Sequence, residues 1–146
     1  AQSKGVVRMT QICFYALSTD SEESRRQFAC RLAEKAFSMG HQVFIQVQSI
    51  AEAKEIDDLL WSFRPNSFVP HSSDHEPKVA VQIGVEAEAN QHDEVLINLT
   101  NSPCTQHRNF QRINEILTTD EASLKQGRNC YRFYQTAGYK PETHKI

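Results

Sequence analysis

The sequence predicts an α/β protein, a three-layer α/β/α sandwich built on a mainly parallel sheet of about five strands. Short runs of apolar and β-branched residues, typical of strands buried on both faces, recur along the chain. Near the N-terminus these runs alternate with segments of helical periodicity, an order typical of parallel βαβ units. A length of 146 residues with 39% apolar content is enough for one domain with its own core.

The first strand is predicted over Ile12–Leu17, a continuous apolar run of strand length. We expect the following helix to begin near Thr19, because Glu22 stands three residues later as in a capping box, and to end at Gly40. Its apolar residues recur at helical spacing, as a face packed on a sheet requires: Phe28, Leu32, Ala36 and Met39.

The second strand is predicted over Val43–Val47, and Ser49 with Glu52 forms a capping box that opens a second helix. This helix must end before Pro65, since proline lacks a backbone N–H and restricts the residue before it. The segment Leu59–His71 combines the only tryptophan with two prolines, so we expect irregular backbone there rather than ordinary helix or interior strand. Apolar rings on such backbone suit a docking surface better than a catalytic cleft.

Three further strands and one helix complete the predicted fold. Val79–Ile83 and Val95–Leu99 are rich in β-branched and apolar residues, as buried strands require, and a shorter strand is expected at Ile113–Leu117. The last helix is predicted over Asp120–Ala137 and is closed by Gly138.

Residues 1–8 precede the first patterned segment, and we interpret them as a leader or an expression remnant without fixed structure; residues 9–146 are interpreted as a single domain. A formal net charge of −2 and a pI near 6.3 argue against a general nucleic-acid coat or a membrane-surface protein, both of which need a basic excess. The sequence contains no apolar run of membrane-spanning length, and its four scattered cysteines fit reduced thiols. We therefore expect a cytoplasmic location.

Catalytic and cofactor motifs are not found in the sequence. The first strand–helix turn has no glycine to bring the backbone close to a phosphate, which argues against a dinucleotide or P-loop site. Four potential metal ligands lie together, but the prolines beside them indicate a solvated loop: His71, Asp74, His75 and Glu76. Cys104 and His107 are close in sequence, which is no evidence for a nucleophile–base pair. We expect no catalytic residue, no cofactor and no metal.

Two surfaces are candidates for binding. On the last helix Lys125, Arg128 and Arg132 recur at helical spacing, with Leu124 and Tyr131 beside them. This stripe is either an ordinary amphipathic face whose charges stay in water, or a clamp for a peptide that carries carboxylates and a hydrophobic end.

The second candidate surface is aromatic and comprises Trp61, Phe63, Phe68 and Val69. These side chains either cover the end of the sheet as core residues or form an exposed patch that needs a partner.

Several short motifs follow one another in order from about Thr10 to Tyr139. They are Leu59-Leu60-Trp61, Ser67-Phe68-Val69-Pro70-His71, Val95-Leu96-Ile97-Asn98-Leu99, and Ser123-Leu124-Lys125-Gln126 followed by Arg128, Tyr131 and Tyr134-x-x-Ala137-Gly138. In this order they resemble the chi subunit family of bacterial DNA polymerase III holoenzyme, accessory proteins of the clamp-loader complex. The tryptophan followed by Ser-Phe-Val-Pro-His is the more specific part of the resemblance.

The resemblance implies a non-enzymatic replication adaptor. Members of that family bind the acidic, hydrophobic-ended C-terminal tail of single-stranded DNA-binding protein and, through another face, the small psi subunit of the clamp loader. By position, the tail site would consist of Arg128 holding a carboxylate, Lys125, Tyr131 and Arg132 around it, and Leu117 as apolar floor. The psi-facing patch would consist of Trp61, Phe68, Val69, Pro70 and His71. A helicase is a further candidate partner for that patch, whereas direct nucleic-acid binding and membrane binding are not expected.

One position departs from the family pattern. In that pattern the lysine precedes the arginine by four residues, whereas here Lys125 precedes Arg128 by three and Gly127, a residue that weakens a helix, lies between them. The role of Lys125 is therefore open. The residues also leave two other functions open: a nucleotide-dependent or hydrolytic α/β enzyme, and a direct single-stranded DNA binder.

Overall fold

The computed structural model describes residues 10–63, 71–72, 80–85 and 94–146. In these ranges the chain forms an α/β fold, and the predicted fold class is confirmed. The helices are α1 (Glu22–Ser38), α2 (Ile50–Ser62) and α3 (Glu121–Thr136), with a short 3-10 turn at His107–Asn109. The strands are β1 (Gln11–Ala16), β2 (Val43–Gln46), β3 (His71–Ser72), β4 (Val81–Gly84), β5 (Val95–Asn98), β6 (Arg112–Leu117) and β7 (Glu142–Lys145).

All paired strands of the sheet run parallel, in the spatial order β3-β4-β2-β5-β6-β1-β7. Buried residues of α1 and α2 share one apolar core with one face of the sheet, and buried residues of α3 share another with the opposite face. The three layers are therefore two helices, the sheet and one helix. The strands beyond the five predicted are the edge strands β3 and β7, which are short and polar.

Two predicted helix boundaries depend on capping residues. At α2 the predicted N-cap is confirmed, since Ser49 Oγ accepts from the Glu52 N–H at 3.1 Å. The second bond differs from a standard capping box, because the Glu52 carboxylate accepts from the N–H of Gln48, the residue before the cap, at 2.9 Å. At α1 the prediction is wrong, because the N-cap is Ser21, whose Oγ accepts from the Ser24 N–H at 3.1 Å. The Thr19 carbonyl instead accepts from the Thr119 N–H at 2.8 Å, and the N-cap lies two residues later.

The expectation of irregular backbone from Leu59 to His71 is wrong for the beginning of that segment. Helix α2 continues through Ser62, and the Phe63 N–H still bonds to the Leu59 carbonyl at 2.7 Å. Pro65 removes only its own N–H and restricts only the residue before it, so the helix can extend to within three residues of it. Trp61 is therefore in the last turn of α2, and residues 64–70 lie outside the described ranges.

Candidate functional site

A buried carboxyl group anchors α3 on the sheet. Glu115 of β6 accepts two hydrogen bonds at the same oxygen, from the Tyr134 hydroxyl at 2.7 Å and from the Asn98 amide at 2.9 Å. The Cys104 N–H in turn donates to the Tyr134 oxygen at 2.9 Å. Burial raises the pKa of Glu115 to about 7, although both hydrogen bonds oppose the shift. The network ties the C-terminal half of α3 to β5, β6 and the loop after β5.

The N-terminal half of α3 is positioned by a glycine. Asp120 caps the helix by accepting from the Ser123 N–H at 3.1 Å. About two turns after the cap Gly127 is buried, and a Cβ at this position would lie 2.7 Å from Cδ2 of Leu117 on β6. Interpreting Gly127 as a weak point of the helix missed this role, because the sequence alone does not reveal which strand the helix approaches. The glycine allows α3 to lie directly on Leu117.

The basic stripe predicted on α3 is exposed to solvent. Lys125, Arg128 and Arg132 are all exposed side chains. Across the described part of the chain, no carboxylate lies within ion-pair distance of any of the three. The guanidinium of Arg128 is therefore accessible to a carboxylate supplied by a partner.

Tyr131 marks the side of α3 that faces β1 and β7. Its ring lies 5.4 Å from that of Phe14 on β1, and its hydroxyl donates to the carbonyl of Pro141, just before β7, at 3.2 Å. Leu124 and Arg128 precede Tyr131 by seven and three residues, so they lie on the same side of the helix. Leu124 is 40% exposed, which places an apolar side chain beside the arginine.

The strands complete this surface. Leu117 of β6 pairs with Ala16 of β1, and Ala16 pairs with Lys145 of β7, so these three form one row across the sheet. Leu117 and Ala16 are half-buried, and Lys145 is exposed. We call the area formed by Leu124, Arg128, Tyr131, Leu117, Ala16 and Lys145 the α3–β7 surface. It offers half-buried apolar groups next to cations.

The sequence interpretation counted Lys145 in a locally basic C-terminal region but did not assign it to the tail site. Strand β7 has no apolar run, because Glu142–Lys145 is exposed at all four positions and pairs only with β1. The locally basic composition after Lys125 was the one signal in the sequence that pointed to this region.

Arg132 is brought into a different environment from Tyr131. It borders a shallow depression together with Asn129, Phe133, Thr136 and Ala137. The ring of Phe133 lies 5.9 Å from that of His107, on the side of α3 away from Phe14. Of the predicted tail-site residues, Arg128 and Tyr131 therefore lie on the β7 side of the helix, and Arg132 borders the opposite side. Leu117 lies beneath Gly127, where it also lines the cleft at the ends of β5 and β6.

The predicted aromatic patch is described only in part. Trp61 is 58% exposed and Phe63 is half-buried. His71 begins β3, whereas Phe68, Val69 and Pro70 lie outside the described ranges. Ile50, at the other end of α2, is also exposed.

A cleft of about 410 Å³ opens where β5 and β6 end, beside the start of α1 and α3. In open α/β sheets this end of the strands is the usual place for a ligand. Here, however, the guanidinium of Arg25 donates to the carbonyls of Ile116 at 3.0 Å and Leu99 at 3.3 Å. The arginine in this cleft therefore holds strand ends together.

The two residues considered as a nucleophile–base pair have other environments. Burial raises the pKa of the Cys104 thiol to about 11, which keeps the thiol protonated near neutral pH. His107 Nδ1 lies 2.7 Å from the hydroxyl oxygen of Tyr139, and burial lowers the pKa of the imidazole.

The potential metal ligands Asp74, His75 and Glu76 fall outside the described ranges, as does the side chain of His71. Where side chains are described, no group of three or more His, Cys, Asp or Glu residues is placed to hold a metal ion. None of the helices described is both long and apolar enough to cross a membrane.

Comparison with known proteins identifies relatives that align with most of this chain. Residues 9–142 match the family described as DNA polymerase III chi subunit, HolC. A relative from Pseudomonas aeruginosa, named DNA polymerase III subunit chi, is 35% identical over 139 residues, covering 94% of this chain and 98% of the relative. Proteins of the same name from Haemophilus influenzae and Escherichia coli are 30% and 23% identical, covering 91% and 92% of this chain and 95% and 97% of their own lengths.

Proposed function

This chain belongs to the DNA polymerase III chi subunit family, and on that premise we propose that it is a non-catalytic adaptor in bacterial replication. It links the clamp loader, through the psi subunit, to the acidic C-terminal tail of single-stranded DNA-binding protein. The α3–β7 surface binds the tail, and the patch around Trp61 binds psi.

The observation that carries the proposal is the environment of Arg128. Its side chain is exposed, meets no carboxylate of the described residues, and lies on the same side of α3 as Tyr131 and Leu124. Arginine presents a planar fork of donors that matches a carboxylate, which suits it to an acidic peptide. The half-buried Leu117 supplies apolar surface for the hydrophobic end of the same peptide.

The other predicted tail residues contribute around this pair. Tyr131 forms a wall of the site, since its ring is fixed by Phe14 and by the bond to Pro141. Lys125 and Arg132 lie further from that wall and raise the positive potential that the tail meets as it approaches. We expect such a small interface between a short peptide and one surface of the protein to have micromolar affinity, which weakens as salt is added.

The psi subunit docks on the exposed ring of Trp61 at the end of α2, together with Phe68, Val69, Pro70 and His71. Exposed aromatic rings are typical anchors of protein interfaces. A helicase that presents similar chemistry would compete for this patch.

The adaptor carries no catalytic residues of its own. The protonated Cys104 thiol and the engagement of His107 with Tyr139 support this view, as does the structural use of Arg25 in the cleft at the strand ends. Because the partners act in replication, the expected location is the cytoplasm.

The proposal is tested by measuring binding of the full chain to immobilised single-stranded DNA-binding protein with and without its C-terminal tail, both loaded on single-stranded DNA. We expect micromolar binding to the intact protein, none to the truncated one, and none to bare single-stranded DNA at physiological salt. Equal binding to both forms, or strong binding to bare DNA, would contradict the proposal and favour a direct DNA binder.

A further inference from the structure

We infer that Lys145 of β7 is the second cation of the tail site and binds a carboxylate of the acidic peptide across the α3–β7 surface from Arg128. This inference rests on the proposed function and adds to its tail site a residue that the sequence interpretation did not place there. It rests on three observations: the register of the sheet, the position of α3 along the strands, and the charges around Lys145.

The register places Lys145 on the face of the sheet that carries α3. Paired residues of neighbouring strands lie side by side and point to the same face. Phe14, two residues before Ala16 on β1, packs against Tyr131 and Tyr134 of α3, so Ala16 also belongs to the α3 face. Lys145 pairs with Ala16 and shares that face.

The contact between Gly127 and Leu117 fixes which part of α3 lies over the row formed by Leu117, Ala16 and Lys145. Leu117 pairs with Ala16, and Ala16 with Lys145, so Gly127 lies at the level of the row. Arg128 is the next residue, only about 1.5 Å further along the helix axis. Lys145 is two strands from Leu117, roughly 10 Å away at the usual strand spacing. Arg128 and Lys145 therefore lie at similar positions along the strand direction, on opposite sides of the half-buried Ala16.

On α3 itself Arg128 is the cation nearest to Tyr131 around the helix, because Arg132 and Lys125 are rotated about 40° and about 60° further from it. Leu124, four residues before Arg128, lies on the side of Tyr131. Lys125 follows Leu124 and is rotated by about 100° around the helix, away from β7. A cation on the other side of Tyr131, toward β7, comes from the sheet, and Lys145 is the exposed lysine on the α3 face of β7.

Lys145 is also available to a partner. Within the described ranges no carboxylate lies within ion-pair distance of its ammonium group. Glu142, on the same strand, accepts from the Gln11 amide at 3.2 Å and pairs with Cys13, which places it on the other face of the sheet. A lysine on a flexible stem suits a carboxylate in the body of a peptide, where the exact position varies.

The experiment is a calorimetric titration with a synthetic peptide that carries three aspartates and ends in phenylalanine. The full chain is compared with Lys145→Ala, with Arg128→Ala, and with Lys140→Ala as a matched control, since Lys140 is an exposed lysine just before β7. We expect Lys145→Ala to weaken binding about three- to fivefold at low salt, and Lys140→Ala to leave it unchanged. Three further peptides, each with a different aspartate replaced by asparagine, locate the contact. Replacing the aspartate that Lys145 binds should remove the difference in affinity between the wild type and Lys145→Ala.

The outcomes separate the two claims. If the wild type binds the peptide, Arg128→Ala does not, and Lys145→Ala binds like the wild type, the role of Lys145 is overturned and the proposed function stands. An effect of Lys145→Ala that persists with every asparagine peptide also overturns the direct contact. If the wild type binds no peptide, the proposed function fails and the role of Lys145 fails with it.

Discussion

Gly127 of α3 lies against Leu117 of β6, so closely that a Cβ on residue 127 would be 2.7 Å from Cδ2 of the leucine. This contact sets the height of Arg128 above the sheet. It also joins the start of the helix to the apolar floor of the α3–β7 surface. A change at Gly127 should therefore alter binding through Leu117.

The first prediction concerns Gly127→Ala. Alanine favours the helix by about 1 kcal/mol over glycine, and the methyl groups of the half-buried Leu117 can rotate away from the new Cβ. We expect the free energy of unfolding to change by less than about 1 kcal/mol while affinity for the acidic peptide falls several-fold, because the floor has moved. Urea unfolding and calorimetry measure the two quantities. Unchanged affinity would show that the position of Leu117 does not matter to the site.

The second prediction concerns Glu115 and pH. Burial raises the pKa of Glu115 to about 7 in the folded protein, against about 4.3 for an unfolded chain. The folded state therefore holds the proton more tightly, so Glu115 contributes stability at low pH that is lost as the pH rises through 7. Relative to Glu115→Gln, the free energy of unfolding of the wild type should fall by about 2–3 kcal/mol between pH 5 and pH 8.

Urea unfolding of both proteins at the two pH values measures this difference. Because the comparison is between two proteins that share every other titrating group, it isolates Glu115. Parallel pH profiles would contradict the pKa assigned to the buried carboxyl group.

The third prediction concerns the Trp61 patch. Trp61 is 58% exposed, so Trp61→Ala should cost less than about 1 kcal/mol of folding stability while reducing co-purification with psi. Ile50→Ala is the matched control, since Ile50 is an exposed apolar residue at the other end of the same helix. Phe68→Ala should weaken psi association in the same way. Wild-type yields of psi with both aromatic variants would remove this patch from the interface.

The fourth prediction concerns salt. The tail site relies on exposed cations, whose attraction for carboxylates is screened over about 10 Å at 0.1 M salt. Raising the salt concentration from 50 to 300 mM should weaken peptide binding by about tenfold, while psi association through apolar groups changes little. Fluorescence anisotropy with a labelled peptide measures the first quantity. A salt-independent affinity would mean that apolar contacts alone hold the peptide.

Much of the fold could be predicted from residues that act locally. The N-cap at Ser49 and the closing Gly138, whose φ is +101°, depend on side chains and backbone within one turn. The apolar strands β2 and β5 were found because burial on both faces demands continuous apolar residues. These features carry their cause in the adjacent sequence.

The features that were missed depend on contacts between distant parts of the chain. Ser21 replaces Thr19 as N-cap because the Thr19 carbonyl bonds to Thr119, one hundred residues away. Strand β7 is polar and exists through its pairing with β1, so Lys145 could not be assigned to a face before the register was known. The resemblance to the chi family directed attention to Arg128, whereas only the sheet register adds Lys145.

Calorimetric titration of the acidic, phenylalanine-ended peptide into wild type, Arg128→Ala and Arg128→Lys tests the central claim most directly. We predict micromolar binding to the wild type, weaker binding to the lysine variant because it cannot form the bidentate contact, and no measurable heat with alanine. The melting temperatures of the three proteins should agree, since Arg128 is exposed. An affinity of Arg128→Ala equal to that of the wild type would contradict the account.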